Sequence, residues 1–504
     1  MNNVDYLAIK IINKRELYKI KVDNPTLPRI YGLPKIHKTG KAMRPITSSI
    51  NAPTYNLAKW LVQKFNSFPK FESANLKNSL DLVDKIKDIN IDKNDRLVSF
   101  DVTSLFPSIP IEKLQTLLKK WLNKIEMEST EAEDYILLTR LCIEQNFFSF
   151  NGKYYKQKSG LSMGNPLSPF LANLFMSAFE THMKMAFPWI FKVWHRYVDD
   201  IFAIVPNRHL DDALKLLNLQ EKTIKFTIEK EDNGQLSFLD LNIIRNGTKL
   251  KFGIYRKPTQ SENYIKNHSY NPITHKHAII NSLTHRLVNI PMDKAEYYKE
   301  QKTILHIAEE NGYNKNLVFK KIKKAKLKKI IKEATTFNKE TENNNTFSEF
   351  TYHPKTFNKF KKIFKEQNII LAPTNRYSVL KLLNSKTKDE IPPINRSGIY
   401  QINCKDCEKC YIGQTKRNLK TRVKEHFRNI KQKQEDKSAV AFHFWNKNHD
   451  IDPNPKLLKG VINKNKLTTW ENILIWKNKD RVMNFEIPPV DNLIKKFIIP
   501  PPES

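Results

Sequence analysis

Acidic residues in two separate segments could together bind metal ions. Asp101 ends a segment in which apolar and polar residues alternate, the pattern of a strand with one buried face. Asp199 and Asp200 separate two apolar segments, which predicts a β-hairpin with both carboxylates at its tip. If this hairpin lies beside the strand of Asp101, three like charges converge, and two Mg²⁺ (or Mn²⁺) ions about 3.5–4 Å apart would suit phosphoryl transfer. Taken alone, an Asp-Asp pair is more often a simple turn.

Cysteines and histidines further along the chain could bind a second kind of metal. Three of the four cysteines, Cys404, Cys407 and Cys410, lie within seven residues, whereas a disulfide framework would spread them out. This clustering predicts an intracellular protein with a metal site. Cys404 and Cys407 have the spacing of half a tetrahedral zinc site, and His443 and His449 could complete it. Cys410 is a competing ligand, and the alternative is that the thiols only pack or undergo redox chemistry.

The composition indicates a nucleic-acid partner. The chain has 504 residues, which predicts two or three domains, and 40% hydrophobic residues, which excludes a disordered protein. Its 86 Lys and Arg against 52 Asp and Glu leave a charge of +34, accompanied by 11% aromatic residues. Cations neutralise phosphates and aromatic rings stack on bases, although a Lys-rich solvated surface would give the same count. No apolar run is long enough for a transmembrane helix, and no secretory signal is recognised at the N-terminus.

The chain divides into four parts by its hydrophobic patterns. Residues 1–260 mix helix and strand, with Asn246-Gly247 predicted at the turn of a hairpin. Residues 261–335 have helical periodicity and end in a Lys-rich helix. Residues 336–392 are predicted to be a basic linker, and residues 393–504 a second compact unit. We therefore predict an α+β multidomain protein.

Motifs around the three aspartates resemble those of reverse transcriptases. Tyr197-Val-Asp-Asp is similar to the core motif of that family, with Asp101 matching the preceding strand. Residues 33–38 and 44–53 are similar to the finger motifs of Penelope-like enzymes in particular. The remaining motifs follow in family order, at 160–175, 226–228, 237–240 and 255–259. The resemblance implies a right-hand polymerase, with fingers and palm in residues 1–260 and a helical thumb in residues 261–335.

The resemblance also implies individual roles. Asp101 and Asp199 would hold Mg²⁺ with Asp200 in support, and Arg44 would pair with the triphosphate of a deoxynucleotide. Phe106 would exclude a 2′-hydroxyl by its bulk, unless it is an ordinary core residue. Many reverse transcriptases have Gln where this chain has Met163, so no side-chain amide contact is expected there.

Two features of the N-terminal and helical parts allow more than one interpretation. Relatives generally carry more sequence ahead of the first finger motif, so a truncated copy or gene model is expected. The lysines at the end of the helical thumb could contact phosphate, act as a nuclear import signal, or form a solvated helix face.

The C-terminal unit resembles the GIY-YIG nuclease fold. Tyr400 and Tyr411 lie in two short apolar triplets, and Arg422 and His426 follow on one face of a predicted helix. The resemblance implies hydrolysis of a phosphodiester, in which the tyrosines and His426 position or deprotonate water and Arg422 stabilises the charge on phosphorus. Glu471 matches the family's metal-binding Glu and would hold Mg²⁺. The spacing of Asn484 is too loose to assign it to a further family Asn, and cysteines between the triplets are a feature of Penelope-like nucleases.

Together these motifs predict an RNA-directed DNA polymerase coupled to a DNA-nicking endonuclease, which would support target-primed retrotransposition. The expected partners are an RNA template, a DNA primer and target, and deoxynucleotides, without a membrane, and the expected location is the nucleus after cytoplasmic synthesis. The oligomeric state is not predicted. The alternatives are a telomerase-like polymerase acting at existing DNA ends, and a decayed or domesticated copy that only binds nucleic acid.

Overall fold

A computed structural model describes residues 11–35, 43–334, 346–374, 391–461 and 464–489. The first part of the chain mixes helices and strands. In chain order its elements are α1 (Lys14–Ile20), β1 (Arg29–Pro34), β2 (Met43–Ser48), α2 (Tyr55–Ser67), α3 (Ser79–Ile86), β3 (Asp95–Val102), α4 (Leu105–Ser108), α5 (Ile111–Lys124), α6 (Ser129–Glu144), β4 (Phe147–Phe150), β5 (Lys153–Lys156), α7 (Ser168–Ala186), β6 (Val193–Tyr197), β7 (Asp200–Pro206), α8 (Leu210–Gln220), β8 (Phe226–Lys230), β9 (Gln235–Phe238), β10 (Leu241–Asn246) and β11 (Lys249–Ile254).

The centre of this part is a four-stranded antiparallel sheet with the order β6-β7-β3-β8. Both faces of the sheet are buried. Ile201 and Val205 of β7 pack into one hydrophobic cluster together with helix α7, and Phe202 and Ile204 pack into another. Burial on both sides explains why β7 is a nearly continuous apolar run rather than an alternating one. This sheet has the position of the predicted palm.

A second sheet, with the order β2-β1-β4-β5, contacts the palm through the glycine turn before α7. The backbone N–H of Thr47 in β2 donates to the Met163 carbonyl over 2.8 Å. Gly164 has φ +130°, and a Cβ there would lie 2.2 Å from the Thr47 carbonyl oxygen. Only glycine allows the two backbones to approach this closely. Of the first finger motif at 33–38, residues 36–38 lie outside the described residues.

The hairpin predicted at Asn246-Gly247 is confirmed. Strands β10 and β11 pair with Asn246 opposite Lys249, and Gly247 has φ +65°. Three helices follow, α9 (Ile273–Asn289), α10 (Lys294–Glu310) and α11 (Lys315–Ala334). They share a core of their own that includes Leu283, Ile304 and Val318.

The segment predicted to be a linker contains secondary structure. Within 346–374 the chain forms β12 (Thr346–Thr351), α12 (Phe357–Glu366) and β13 (Ile369–Thr374), and the two strands pair in parallel. A helix between two parallel strands is the usual crossover connection. The strands of this segment are short and its helix is strongly basic, so the composition alone did not distinguish the segment from a linker. Residues 336–345 and 375–390 of the predicted linker lie outside the described residues.

The C-terminal unit has a small antiparallel sheet with helices. Its elements are β14 (Gly398–Asn403), β15 (Cys410–Thr415), α13 (Leu419–Lys431), α14 (Ala439–Lys447), β16 (Lys456–Gly460) and α15 (Leu467–Lys477). The strand order is β15-β14-β16. Residues 490–504 of the predicted second unit are not among those described. In the described part of the chain, no helix combines the length and apolar composition that a membrane crossing requires.

Candidate active centres and candidate metal centre

The three aspartates of the first part meet at one end of the palm sheet. Asp101 of β3 is the register partner of Asp200 of β7, and the backbone N–H of Val102 donates to the Asp199 carbonyl over 3.1 Å. All three line a cavity of about 1230 Å³, as do Arg44 and Phe106. The structure thus brings together all five residues that the resemblance assigns to the polymerase.

The electrostatics of this cavity favour a bound cation. Burial raises the pKa of Asp199, and the negative charge of Asp101 raises it further, whereas the positive charges of Arg44 and Lys35 lower it. A carboxylate whose ionised form is disfavoured by burial and by a like charge gains from a metal ion. The acids therefore have the environment expected of divalent-metal ligands.

Phe106 reaches the cavity through a sharp turn after β3. Ser104 has φ +52°, in the left-handed region, and the one-turn helix α4 begins after it. Phe106 is partly buried against the main hydrophobic cluster and lines the cavity with the aspartates. The side chain therefore belongs both to the edge of the core and to the cavity.

A buried charged pair beside the aspartates was missed by the sequence analysis. Arg196, directly before the Tyr-Val-Asp-Asp motif, is 1% exposed and pairs with Glu180 of α7, whose side chain is 3% exposed. The guanidinium also donates to the Val198 carbonyl over 3.1 Å. A signal was available, because Glu180 is the only acid of the apolar helix α7. A lone acid in such a helix needs a buried partner.

In the C-terminal unit, the two tyrosines and the histidine form one cluster, in which Tyr400 and His426 are buried and Tyr411 is partly buried. Tyr400 Oη and His426 Nε2 are 2.7 Å apart, and His426 Nδ1 lies 2.9 Å from Ser438 Oγ. The Tyr411 and His426 ring centroids are 5.0 Å apart. Antiparallel pairing of β14 with β15, which places Tyr411 opposite Ile402, brings both tyrosines to α13.

Burial keeps the three rings of this cluster uncharged. It lowers the pKa of His426 to about 4, an effect that the positive charge of Arg422 reinforces. It raises the pKa of both Tyr400 and Tyr411. At neutral pH the cluster therefore holds a neutral imidazole, which can accept a proton, next to two phenols.

Arg422 and Glu471 supply the charges of this centre. Arg422 Nη1 pairs with Glu425 over 2.9 Å, while its buried Nε has no hydrogen-bond partner in the described part of the chain. A buried donor without a partner is suited to an incoming anion such as phosphate. Glu471 Oε2 accepts from Gln414 over 2.7 Å, and burial raises its pKa, which the charge of Arg422 partly offsets.

The glycine of the second triplet, Gly413, lies directly under the tyrosines. A Cβ at this position would be 2.6 Å from Tyr411 Cε1 and 2.8 Å from Tyr400 Oη. Asn484, whose match to the family was too loose to use, accepts from the Ile412 N–H over 3.1 Å and donates to the Ile412 carbonyl over 2.8 Å. The structure thus places Asn484 at the second triplet, across 72 residues of sequence.

Cys404, Cys407, His443 and His449 form a compact cluster that could hold a metal ion, with ligand atoms all within 4.8 Å of one another. Cys404 Sγ lies 3.6 Å from His449 Nδ1, Cys407 Sγ 3.5 Å from His443 Nε2, and the two nitrogens are 3.2 Å apart. Tetrahedral zinc with its usual bond lengths would separate sulfur from nitrogen by about 3.6 Å and nitrogen from nitrogen by about 3.3 Å. The donor set therefore fits zinc.

Cys410 does not join this cluster. It is buried in a hydrophobic group with Ile399 and Ile412, and its backbone pairs with Arg481 and Met483. The competing ligand considered from the sequence thus faces the core of the unit instead of the metal cluster.

Three family models match the chain. Residues 36–231 match the model described as reverse transcriptase (RNA-dependent DNA polymerase). Residues 396–484 match the GIY-YIG catalytic domain. This order of domains is consistent with the architecture of a Penelope-like element protein. Residues 263–323 match an animal helix-turn-helix domain, which the sequence analysis did not identify and which corresponds to α9, α10 and part of α11.

Solved structures of polymerases resemble the chain weakly. Telomerase from Candida albicans, in complex with a TWJ fragment of telomeric RNA, is 13% identical with a TM-score of 0.42, covering 67% of this chain and 65% of its own. The corresponding complex of Candida tropicalis is 15% identical with a TM-score of 0.35, covering 63% and 56%. The Sicinivirus 3Dpol RNA-dependent RNA polymerase is 15% identical with a TM-score of 0.40, covering 62% and 71%. The chain thus spans less than two thirds of the telomerase chains it matches, and no curated protein sequence matches it.

The two domain matches confirm the predicted fold class, which is a right-hand polymerase followed by a small α/β GIY-YIG domain. They also indicate reverse transcriptase and nuclease activities. Such domains typically use divalent metals, in agreement with the acids of both centres. The boundaries at 260, 335 and 392 and the thumb role of the three helices remain predictions.

The contact of Gly413 gives a prediction about nuclease activity. Gly413→Ala should lower the rate of plasmid nicking about 100-fold. The new methyl group would push the two tyrosine rings out of position, and a misplacement of about 1 Å can cost about 100-fold in rate. Gly460→Ala is the matched control in the same sheet, since no atom lies within 4 Å of a Cβ built there. Initial nicking rates of the two variants would be compared with the parent rate. Equal rates for Gly413→Ala and Gly460→Ala would contradict the packing argument.

Proposed function

We propose that this chain is an RNA-directed DNA polymerase coupled to a DNA-nicking endonuclease, and that it carries out target-primed retrotransposition. The nuclease would cut one DNA strand, and the polymerase would extend the new 3′ end along an RNA template with deoxynucleotides. The observation that carries this proposal is the presence, in one chain, of the Asp101, Asp199 and Asp200 cavity and the Tyr400–His426 cluster. Because the proposed target is DNA, we also propose that the protein acts in the nucleus after its synthesis in the cytoplasm.

The polymerase assignment is supported by the chemistry of the acidic cavity. Asp101 and Asp199 would hold the metal ions, with Asp200 beside them on β7. When bound, Mg²⁺ would lower the pKa of the primer hydroxyl and neutralise the leaving phosphate. Arg44 lies exposed on the cavity wall, where its guanidinium can form two parallel bonds to a triphosphate.

The nuclease assignment is supported by the different chemical roles that the residues of the C-terminal cluster can take. His426 is neutral and within hydrogen-bond distance of Tyr400, so the pair can position a water molecule and accept its proton. The buried Nε of Arg422 can donate to the phosphate as negative charge develops on it. Glu471 would hold the divalent ion that stabilises the leaving oxygen.

A test of the coupled function uses an intact plasmid, an RNA template and deoxynucleotides. The parent protein should nick the plasmid and extend the nick, because both centres lie in one chain. Asp199→Asn should still nick but not extend, since the neutral amide cannot replace a metal-binding carboxylate. Glu471→Ala should do neither on intact plasmid, yet should extend a plasmid that has been nicked beforehand. Products are measured on denaturing gels.

Other outcomes of this assay would contradict the proposal. Extension of linear DNA ends by the parent protein, without any product from intact plasmid, would favour the telomerase-like alternative. Binding of nucleic acid without nicking or extension would favour a decayed copy. Loss of both activities in Asp199→Asn would show that the centres are not independent.

The position of Phe106 gives a prediction about sugar selection. Phe106→Val should raise the incorporation of ribonucleotides relative to deoxyribonucleotides by about 10-fold or more, since a smaller side chain leaves room for the 2′-hydroxyl. Ile50→Val, a truncation at the exposed rim of the same cavity, is the matched control and should leave the ratio unchanged. The measurement is single-nucleotide primer extension with each nucleotide type. An unchanged ratio in an active Phe106→Val variant would restrict Phe106 to a packing role.

We also propose that Cys404, Cys407, His443 and His449 bind one structural Zn²⁺. Two of these ligands lie in the loop between β14 and β15, and the other two lie in and after α14. The ion would therefore join the tyrosine strands to the later helix. Zinc in small domains contributes about 10–16 kcal/mol of apparent binding free energy, so it would stabilise this unit strongly.

Zinc analysis of the full chain tests this assignment. The parent protein should contain one zinc per chain, Cys404→Ser should lose it, and Cys410→Ser should keep it, because Cys410 faces the hydrophobic core. Loss of zinc should abolish nicking and leave extension of a pre-nicked plasmid intact. The measurements are elemental analysis and thiol counting after denaturation. Zinc retained in Cys404→Ser, or a disulfide between Cys404 and Cys407, would contradict the proposed ligands.

A further inference from the structure

Arg196 is the largest of the fully buried side chains in the described part of the chain. Its Nε and Nη2 donate to Glu180, and Nη2 also donates to Asn173 Oδ1 over 2.8 Å and to Ser73 Oγ over 3.4 Å. Its Nη1 donates to Asn75 Oδ1 over 3.4 Å and to the Val198 carbonyl over 3.1 Å. Every nitrogen of the guanidinium is therefore in use. The partners come from α7, from the segment 73–75, and from the turn that carries Asp199.

This pair is a costly way to hold a fold together. Two charges removed from water lose much of their solvation free energy, and well-packed apolar residues are often as stabilising as a buried ion pair. Arg196 and Glu180 lie among the hydrophobic residues that form the main cluster, such as Trp194 and Phe179. If these two positions only filled the hydrophobic core, leucine or methionine would serve there as well. Unlike apolar side chains, Arg196 and Glu180 form directed hydrogen bonds.

One of these bonds ends on a strained residue. Val198 has φ +57°, a left-handed conformation that is unfavourable for a β-branched side chain. Its carbonyl accepts from Arg196 and its N–H donates to Asn75 Oδ1 over 3.4 Å, so both polar backbone groups are held. The next residue is Asp199. A conformation of this kind persists only where its surroundings enforce it, and such residues concentrate at functional sites.

We propose that the buried Arg196–Glu180 pair is a positioning device that holds the Val198–Asp199 turn in its metal-binding conformation. Arg196 is a positioning residue, because it contacts the turn backbone and not the reacting groups. Glu180 fixes the guanidinium from α7, and α7 follows the Gly164 turn that contacts β2. The turn that carries Asp199 is thus held from the helix that follows the Gly164 turn. This inference rests on the proposed polymerase function.

The test measures how primer extension depends on Mg²⁺ concentration. Arg196→Lys keeps the charge but loses the planar fork, so one ammonium group cannot hold both Glu180 and the Val198 carbonyl. We expect the Mg²⁺ concentration at half-maximal rate to rise about 10- to 100-fold, the usual effect of removing a residue that orients a metal ligand. Asn173→Ala removes one partner of the guanidinium and leaves the charged pair intact. It should give a smaller rise in the same direction.

Arg245→Lys is the matched control. Arg245 pairs with Glu231 over 2.7 Å, its side chain is 17% exposed, and it donates to the Asp95 carbonyl at the other end of β3. It should lower the unfolding temperature without changing the Mg²⁺ dependence. Template–primer affinity without Mg²⁺ checks that each variant has a folded palm.

The outcomes separate the inference from the proposed function. A raised Mg²⁺ requirement in Arg196→Lys and Asn173→Ala, with a parental value in Arg245→Lys, supports the positioning role. An unchanged Mg²⁺ requirement in folded Arg196→Lys and in Asn173→Ala, with a loss of thermal stability like that of Arg245→Lys, overturns it. A parent protein that binds template–primer but never extends it overturns the proposed polymerase function itself.

Discussion

The polymerase centre depends on holding like charges together. Two unit charges 4 Å apart repel each other by about 4 kcal/mol near a protein surface, so side chains on mobile loops would move apart. Here the charges cannot separate, because Asp101 and Asp200 are register partners in a sheet with both faces buried. The sheet therefore holds the three acids in an arrangement that a bound cation would stabilise. The burial of both faces and the register between β3 and β7 maintain this arrangement.

The second centre handles charge in the opposite way. Its tyrosines and His426 stay neutral because they are buried, and the charged groups beside them include Arg422, Glu425 and Glu471. A neutral imidazole needs no bound cation to offset its charge, and hydrogen bonds from His426 to Tyr400 and Ser438 hold it in place. The four residues that could hold a metal ion in this unit, Cys404, Cys407, His443 and His449, form a separate cluster.

Much of the fold and of both centres could be predicted from the sequence, because the relevant contacts are local or follow family order. The strand of Asp101 was predicted from its alternating apolar and polar residues, and the hairpin at Asp199-Asp200 from the two apolar segments that flank it. The pairing of Asn484 with Ile412 was not, since it spans 72 residues and leaves no periodic trace. Glu180 in its apolar helix indicates that a buried partner is needed, but the sequence does not show that this partner is Arg196, 16 residues away on β6. The β-α-β segment at 346–374 was missed because its lysines suggested solvent.

The contact between Gly413 and the tyrosine rings has a consequence for how this nuclease can change over generations. The nearest atom to a Cβ at position 413 belongs to Tyr411 of the same triplet, and the next belongs to Tyr400 on the neighbouring strand. A smaller residue in place of one tyrosine would leave the other ring in the way, so position 413 becomes free to vary only when both rings are reduced. The two tyrosines and the glycine therefore constrain one another, and a substitution at any one of them changes which residues the other two positions can accept.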